Sequence, residues 1–300
     1  MTIPVALSVL AFISVPSGDL YVTEFNYNGA GLALIIPFSS GMLAVPWGYG
    51  KVLYLESENT ARAVPCSWDE SRCCSAPSSF EDSAALCIRR SGSEYILLFS
   101  PASVIEAYGP YEKGGKPVFD SLGNLWFTAD GYLHENGIST GIELESHTIS
   151  VDASGVRVVF CDSSDRICIL NIDDGVVSVL SSDYRFYNPV FVTFEGSDLI
   201  VSPSLEGEIV KVSPADGACT SLAEGSHPFW WEDRESFLYS VASDDGLRIT
   251  SGEIWLVSPD GVNQQISFTP DIHEIHPVVI DSAVYAIDAT SGTLVAVPDE

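Results

Sequence analysis

Hydrophobic and polar positions alternate along this chain in short runs, and the pattern predicts strands from end to end. The clearest stretch, 147–222, holds one pattern twice. The first copy has four β-rich runs at 148–155, 156–160, 167–175 and 176–180; the second has them at 189–196, 197–201, 208–217 and 218–222. A glycine, Gly155 or Gly196, closes the first run of each copy. An Asp-Gly pair, Asp174-Gly175 or Asp216-Gly217, closes the third. Such turns supply the positive φ angles of tight hairpins. Four antiparallel strands repeating at roughly 40 residues are the signature of propeller blades.

The strand–turn–strand pair that opens each copy recurs at 10–22, 42–55, 84–98, 117–127, 228–239 and 277–287, which with the two central copies makes eight. Continuous apolar runs fit strands covered on both faces. The expectation is an all-β chain forming a single closed β-propeller over residues 1–300, built of four-stranded antiparallel blades. Eight blades are favoured and seven are the runner-up, because 26–116 is the least regular part. There, 66–82 reads as a loop and 102–116 as ambiguous. Only the run 293–297 follows the last opening pair, so residues 3–9 would supply its missing strand and close the ring.

Composition adds compartment and partners. The 300 residues, 46% of them hydrophobic, suffice for one sizeable core. Thirteen Lys and Arg against 41 Asp and Glu give a formal charge of −28. That field repels phosphate backbones and anionic membranes, so no nucleic-acid partner is expected. Residues 2–15 resemble the apolar core of a signal peptide but lack its charged flank and a small-residue cleavage site. They are also too short to span a bilayer, so no integral membrane segment is expected and they read as strand. Of the seven cysteines, Cys66, Cys73 and Cys74 fall in the 66–82 loop. Cys161 and Cys168 flank a hairpin turn, where a cross-strand disulfide is open if the geometry allows. The acidity and the cysteines point to a secreted or periplasmic monomer.

The third run and its turn resemble the repeats of the TolB-like (WD40-like, PD40) β-propellers. IWLVSPDGVNQQI at 254–266 is the best copy, and NIDDG at 171–175 and VSPADG at 212–217 are weaker ones. PFWW at 228–231 keeps the aromatic opening of that family's repeat, but EDRE at 232–235 replaces its Asp-Gly turn. VYAIDATSGTL at 284–294 is more similar to the repeat of quinoprotein-type eight-bladed propellers. The resemblance covers residues 148–300. It implies a propeller and no single activity, since such folds host many.

Matching junctions lead into successive blades: Ser146-His147-Thr148, Tyr187-Asn188-Pro189, Ser226-His227-Pro228 and Ile275-His276-Pro277. Equivalent positions of a propeller form a ring near its channel. His147, His227 and His276 are therefore candidate ligands of a divalent metal ion, with His273 and Glu274 nearby. Oligogalacturonate lyases, propellers with a His-coordinated metal in the channel, are similar in this respect alone. The competing reading of each imidazole is a hydrogen bond that stiffens the junction. Trp230, Trp231, Tyr184, Tyr187 and Asn188 are candidate ligand-binding residues, with aromatics suited to a sugar or a cationic peptide; packing between blades competes. No catalytic nucleophile or phosphate-cradling loop is apparent. Asp-rich turns such as 162–165 and 244–246 read as turn chemistry rather than calcium loops. The expected function is non-catalytic recognition of a protein or carbohydrate at one face of the ring. The alternative is a metal-dependent lyase or hydrolase in the channel.

Overall fold

The computed structural model describes residues 33–297 apart from 39–40, 47–51, 58–59, 65–71, 76–77, 82, 101–103, 181–182, 247, 281 and 291–292. The described residues form seven antiparallel sheets, taken in chain order. Sheet I holds β1 (Ala33–Phe38), β2 (Gly41–Pro46), β3 (Val52–Ser57) and β4 (Thr60–Val64). Sheet II holds β5 (Arg72–Cys73), β6 (Ser78–Phe80), β7 (Ser83–Arg90), β8 (Ser93–Phe99) and β9 (Val104–Tyr111). Sheet III holds β10 (Val118–Phe119), β11 (Leu125–Ala129), β12 (Tyr132–Glu135) and β13 (Ile138–Glu143). Sheet IV holds β14 (Ile149–Val151), β15 (Arg157–Cys161), β16 (Ile167–Asn171) and β17 (Val177–Val179). Sheet V holds β18 (Val190–Phe194), β19 (Ser197–Pro203), β20 (Glu208–Val212) and β21 (Cys219–Glu224). Sheet VI holds β22 (Ser226–Trp231), β23 (Ser236–Asp244), β24 (Ile249–Val257) and β25 (Asn263–Gln265). Sheet VII holds β26 (Glu274–Ile280), β27 (Ala283–Asp288) and β28 (Thr293–Ala296). The helical content among these residues is one 3-10 turn, Glu232–Arg234.

Each sheet but sheet II is a meander whose neighbours in sequence are neighbours in space. Five opening pairs, those of sheets III to VII, fall where the pattern put them. Two do not. The run at 42–55 is β2 and β3, and the run at 84–98 is β7 and β8, the second and third strands of their sheets. The first strand of sheet II is the 66–82 segment expected as a loop: β5 and β6 both pair with β7, as two halves of one broken strand. The ambiguous 102–116 contains a strand, β9. An apolar run cannot reveal its place within a sheet, because second and third strands can be as apolar as first ones. The expected closing strand at 3–9 and the pair at 10–22 lie outside the described residues.

Sheet packing follows a period of two. Leu125 and Phe127 of β11 pack with Ala85, Cys87 and Ile96 of sheet II. Trp126, between them, packs with Val158, Phe160 and Leu170 of sheet IV. Ile167 and Ile169 of β16 face Phe191, Ile200 and Val210 of sheet V, while Cys168 and Leu170 face back toward sheet III. All five residues of β11 are buried. Each large apolar side chain so placed stabilises by about 1.5–3 kcal/mol relative to exposure. Consecutive sheets touch through their first strands, β1 with β6, β6 with β10, β10 with β14 and β14 with β18. Strand β22 touches β19, β20 and β26, and β26 touches β1.

Buried aspartates hold the turns after first strands. Asp120 accepts hydrogen bonds from the amides of Leu122 and Asn124, from Asn124 Nδ2 and from Trp126 Nε1 at 2.9–3.0 Å. Asp152 plays the same part after β14, taking the amides of Val156 and Arg157 and the Arg157 Nε. Arg157 reaches on to Asp198 of sheet V and lies over the Phe191 ring. Burial opposes both aspartate charges, but the hydrogen bonds outweigh it and depress both pKa values. Asp120→Ala strands the Trp126 indole N–H and two amides, so urea unfolding at pH 7 is expected to show a loss of about 2–4 kcal/mol. A loss below about 0.5 kcal/mol would contradict this account.

Candidate functional site

The starts of the first strands of sheets V, VI and VII share one backbone conformation, at Asn188 just before β18, at His227 in β22 and at His276 in β26. Asn188, His227 and His276, each followed by a proline, have φ of +49°, +55° and +52°. Proline cannot donate to the ladder and disfavours the right-handed helical region for the residue before it. At β22 and β26 the register shifts across these positions, between Ser226 and Phe229 and between Ile275 and Val278. A left-handed non-glycine residue costs about 1–3 kcal/mol and persists only where its surroundings impose it. Those surroundings are cross-sheet hydrogen bonds. The His276 amide donates to Ser240 Oγ of sheet VI at 2.9 Å, the Phe191 amide to Ser150 Oγ of sheet IV at 3.1 Å, and the Lys116 amide to the His147 carbonyl at 2.7 Å.

Two of the three candidate imidazoles come together. The rings of His227 and His276 have centroids 3.6 Å apart at an interplanar angle of 52°. His227 Nδ1 lies 2.8 Å from Ser226 Oγ. Burial lowers the His276 pKa to about 3, with the neighbouring His227 adding to it. His227 is lowered by the protein crowded around it, although part of its side chain meets solvent. Both pKa values are lowered, so both rings are neutral at pH 7. The third, His147, is exposed and lines a separate hollow of about 460 Å³ with Glu112, Lys113, Asp130 and Glu145. Among the described residues, no group of three or more His, Cys, Asp or Glu side chains is placed to hold a metal ion. Glu274 is buried, accepts the Thr269 hydroxyl and is pushed up by burial, while its Oε2 has no partner.

The aromatic candidates divide. Trp231 is 5% exposed and packs against Leu238, Ile254 and Val284, with the Arg234 guanidinium 4.8 Å above it. Trp230 points to the other face of β22, against Phe237 at 4.7 Å between centroids. Tyr184 packs on Phe186. Tyr187 and Asn188 are exposed beside their junction, and the Tyr187 carbonyl accepts the Ser202 hydroxyl. The period-two burial of inner strands therefore takes the tryptophans and leaves Tyr187 and Asn188 outward. Cys161 and Cys168 also lie on opposite faces, toward sheets V and III, which excludes a disulfide between them. Asp162 accepts from Arg166 and from the turn amides of Ser164 and Arg166, so this turn is filled by its own residues.

One member of the set escaped the sequence reading. Lys116 precedes Pro117 and β10, in the position of Asn188, His227 and His276. Burial lowers its pKa, and it takes part in none of the ion pairs among the described residues. The shared proline was the signal that could have found it.

Solved structures similar to this chain are β-propellers. A chain of the mitotic checkpoint complex aligns with a TM-score of 0.65 at 10% identity, covering 87% of each chain. YCF48 bound to a D1 peptide aligns with a TM-score of 0.63 at 11% identity, covering 90% of this chain and 94% of that one. Oligogalacturonate lyase from Vibrio parahaemolyticus aligns with a TM-score of 0.50 at 11% identity, covering 73% and 74%. At these identities the likeness extends to the fold. No protein-family model and no curated protein sequence matches the chain. No described helix is long and apolar enough to cross a membrane.

The low folded-state pKa of His276 has a sign. Its ordinary value is 6.5, so below that pH the unfolded chain takes a proton that the folded one refuses. Stability is full above pH 6.5 and erodes as pH falls toward about 3. His276→Asn keeps a residue tolerant of the left-handed region, and it is expected to flatten that decline in urea titrations between pH 6.5 and 4. Parallel curves for the two proteins would refute the burial of this ring.

Proposed function

We propose that this chain is a non-catalytic binding β-propeller that takes a polypeptide segment where its first strands begin. The observation that carries this reading is the alignment of left-handed, proline-followed junctions in sheets V to VII, with neutral His227 and His276 in ring contact. Tyr187 and Asn188 stand exposed beside them, and Lys116 adds a cation without an ion-pair partner among the described residues. A polypeptide is favoured over a sugar because the tryptophan faces on which a sugar would stack are committed to packing. The segment would present a carboxylate to Lys116 and an apolar neighbour to Tyr187. YCF48 in its peptide-bound structure offers a parallel at the level of fold.

The seven sheets are taken as blades of one ring, a reading supported by the contact of β26 with β1. The N-terminal strand would then complete the three-stranded sheet VII, giving the runner-up count of seven rather than the favoured eight. Membership among TolB-like propellers, a secreted or periplasmic location and a monomeric state belong to the same proposal.

A second reading rests on the neutral imidazole pair: His227 and His276, with His147 contributed separately, would serve a divalent metal in a lyase or hydrolase. It requires donors beyond the pair. Stoichiometric metal in protein purified without chelator, lost in His227→Ala/His276→Ala, would favour it over the first.

Selection of a phage-displayed random peptide library on the immobilised chain tests the binding reading. The expected outcome is an acidic consensus whose affinity falls about tenfold in Lys116→Gln and in Tyr187→Ala at unchanged melting temperature. An absence of consensus, or affinities equal to wild type in both variants, would overturn it.

A further inference from the structure

Cysteines 74 and 87 face each other across the broken first strand of sheet II. Pairing of β5 with β7 sets Arg72 opposite Arg89 and Cys73 opposite Ile88, which brings Cys74 opposite Cys87. The Cys74 amide donates to the Cys87 carbonyl at 2.8 Å. Directly opposite residues of an antiparallel pair carry their side chains on the same face of the sheet, so the two thiols are neighbours. Just there the Cys87 amide also donates to Ser75 Oγ at 3.1 Å, so a side chain joins the pairing beside Cys74.

The two sulfurs differ in reach. Cys74 is partly exposed, whereas Cys87 is 0% exposed within the core between sheets II and III. The Cys87 thiol is directed at Gly114 O at 3.7 Å and Glu94 Oε2 at 4.0 Å. Glu94 is itself buried, paired with Arg89 and hydrogen-bonded by the Gly114 amide at 2.5 Å. Contact with Cys87 holds the Cys74 thiol below its usual pKa, with Arg89 assisting and burial and Glu94 opposing. Burial pushes two other thiols the opposite way, Cys161 to about 12 and Cys168 to about 11. An accessible sulfur backed by a buried one is the arrangement of an attacking and a resolving thiol.

We propose that Cys74 and Cys87 are a redox modification site that closes to an intramolecular disulfide by exchange with a small-molecule disulfide such as oxidised glutathione. The Cys74 thiolate attacks one sulfur of oxidised glutathione, forming a mixed disulfide and expelling one glutathione thiolate. The Cys87 thiol gives its proton to Glu94, attacks the Cys74 sulfur and expels the second glutathione thiolate. That thiolate leaves as the thiol with the proton Glu94 returns. Two protein thiols are oxidised and one oxidised glutathione becomes two reduced ones. The bond would pin β5, at one end of the broken strand, to β7.

The test uses the full chain, reduced, freed of reductant and incubated with oxidised glutathione at pH 7.5. Acid quenching, alkylation with N-ethylmaleimide and peptide mass spectrometry follow. The expected product is a crosslinked Cys74–Cys87 peptide and the loss of two alkylation sites. Cys87→Ala, which keeps an apolar group in the core, is expected to trap one glutathione on Cys74. Cys74→Ser is expected to keep Cys87 unmodified. Before oxidation, Cys74 should alkylate at least about tenfold faster than Cys161 in the folded protein. A bond mapped to Cys66 or Cys73, full alkylation of Cys74 and Cys87 after incubation, or equal glutathione adducts on wild type and Cys87→Ala would each overturn the proposal. Circular dichroism of both variants separates these outcomes from misfolding.

Discussion

Inner strands such as β11 and β16 are buried on both faces, and the rest of the described structure depends on that constraint. A strand sends successive side chains to opposite sides. With a sheet packed on either side, each side chain belongs to one border or the other. Leu125, Trp126 and Phe127 show the rule in three consecutive residues, serving sheet II, sheet IV and sheet II again. Trp230 and Trp231 show its cost to function. Both pack on borders, Trp231 buried and Trp230 in part. The same rule parts Cys161 from Cys168, although the hairpin sets them close in sequence.

Chemistry is left to the places where the rule lapses. At the junctions before first strands, proline breaks the ladder and a left-handed residue turns the chain, and here alone the imidazoles of neighbouring sheets meet. The broken first strand of sheet II is a second lapse, and it is where a partly exposed cysteine lies opposite a buried one. The turn aspartates are the complement of these places: Asp120 and Asp152 are charged and buried, yet their hydrogen bonds are filled by their own loops. They explain themselves as structure.

Much of this was legible from residue order. Hairpin patterns at 148–160, 189–201, 228–239 and 277–287 located the first two strands of sheets IV to VII; Gly155 and Gly196 punctuate the first two of these, and EDRE and Asp-Ser replace glycine in the others. Frame was illegible at 42–55 and 84–98, since second and third strands are as apolar as first ones. Cysteine, serine and proline disguised 72–80 as a loop although it pairs along β7. Asn188, His227 and His276 share a left-handed backbone and a following proline; His147 has no following proline and lines a different hollow, while Lys116, which has one, was not singled out. Period alone could not show which aromatic would stay outside, because burial depends on the neighbouring sheet as well as on the strand.

The left-handed junctions carry one more implication. Asparagine, aspartate and histidine are the non-glycine side chains that tolerate this backbone region best. The identities found at 188, 227 and 276 all come from that short set. Drift at these positions is thus confined to a few polar types, whatever is bound there, and branched aliphatics are closed off by geometry. The mouth of this protein would stay polar under neutral change, which leaves its loops rather than its junctions as the material from which a new preference could be shaped.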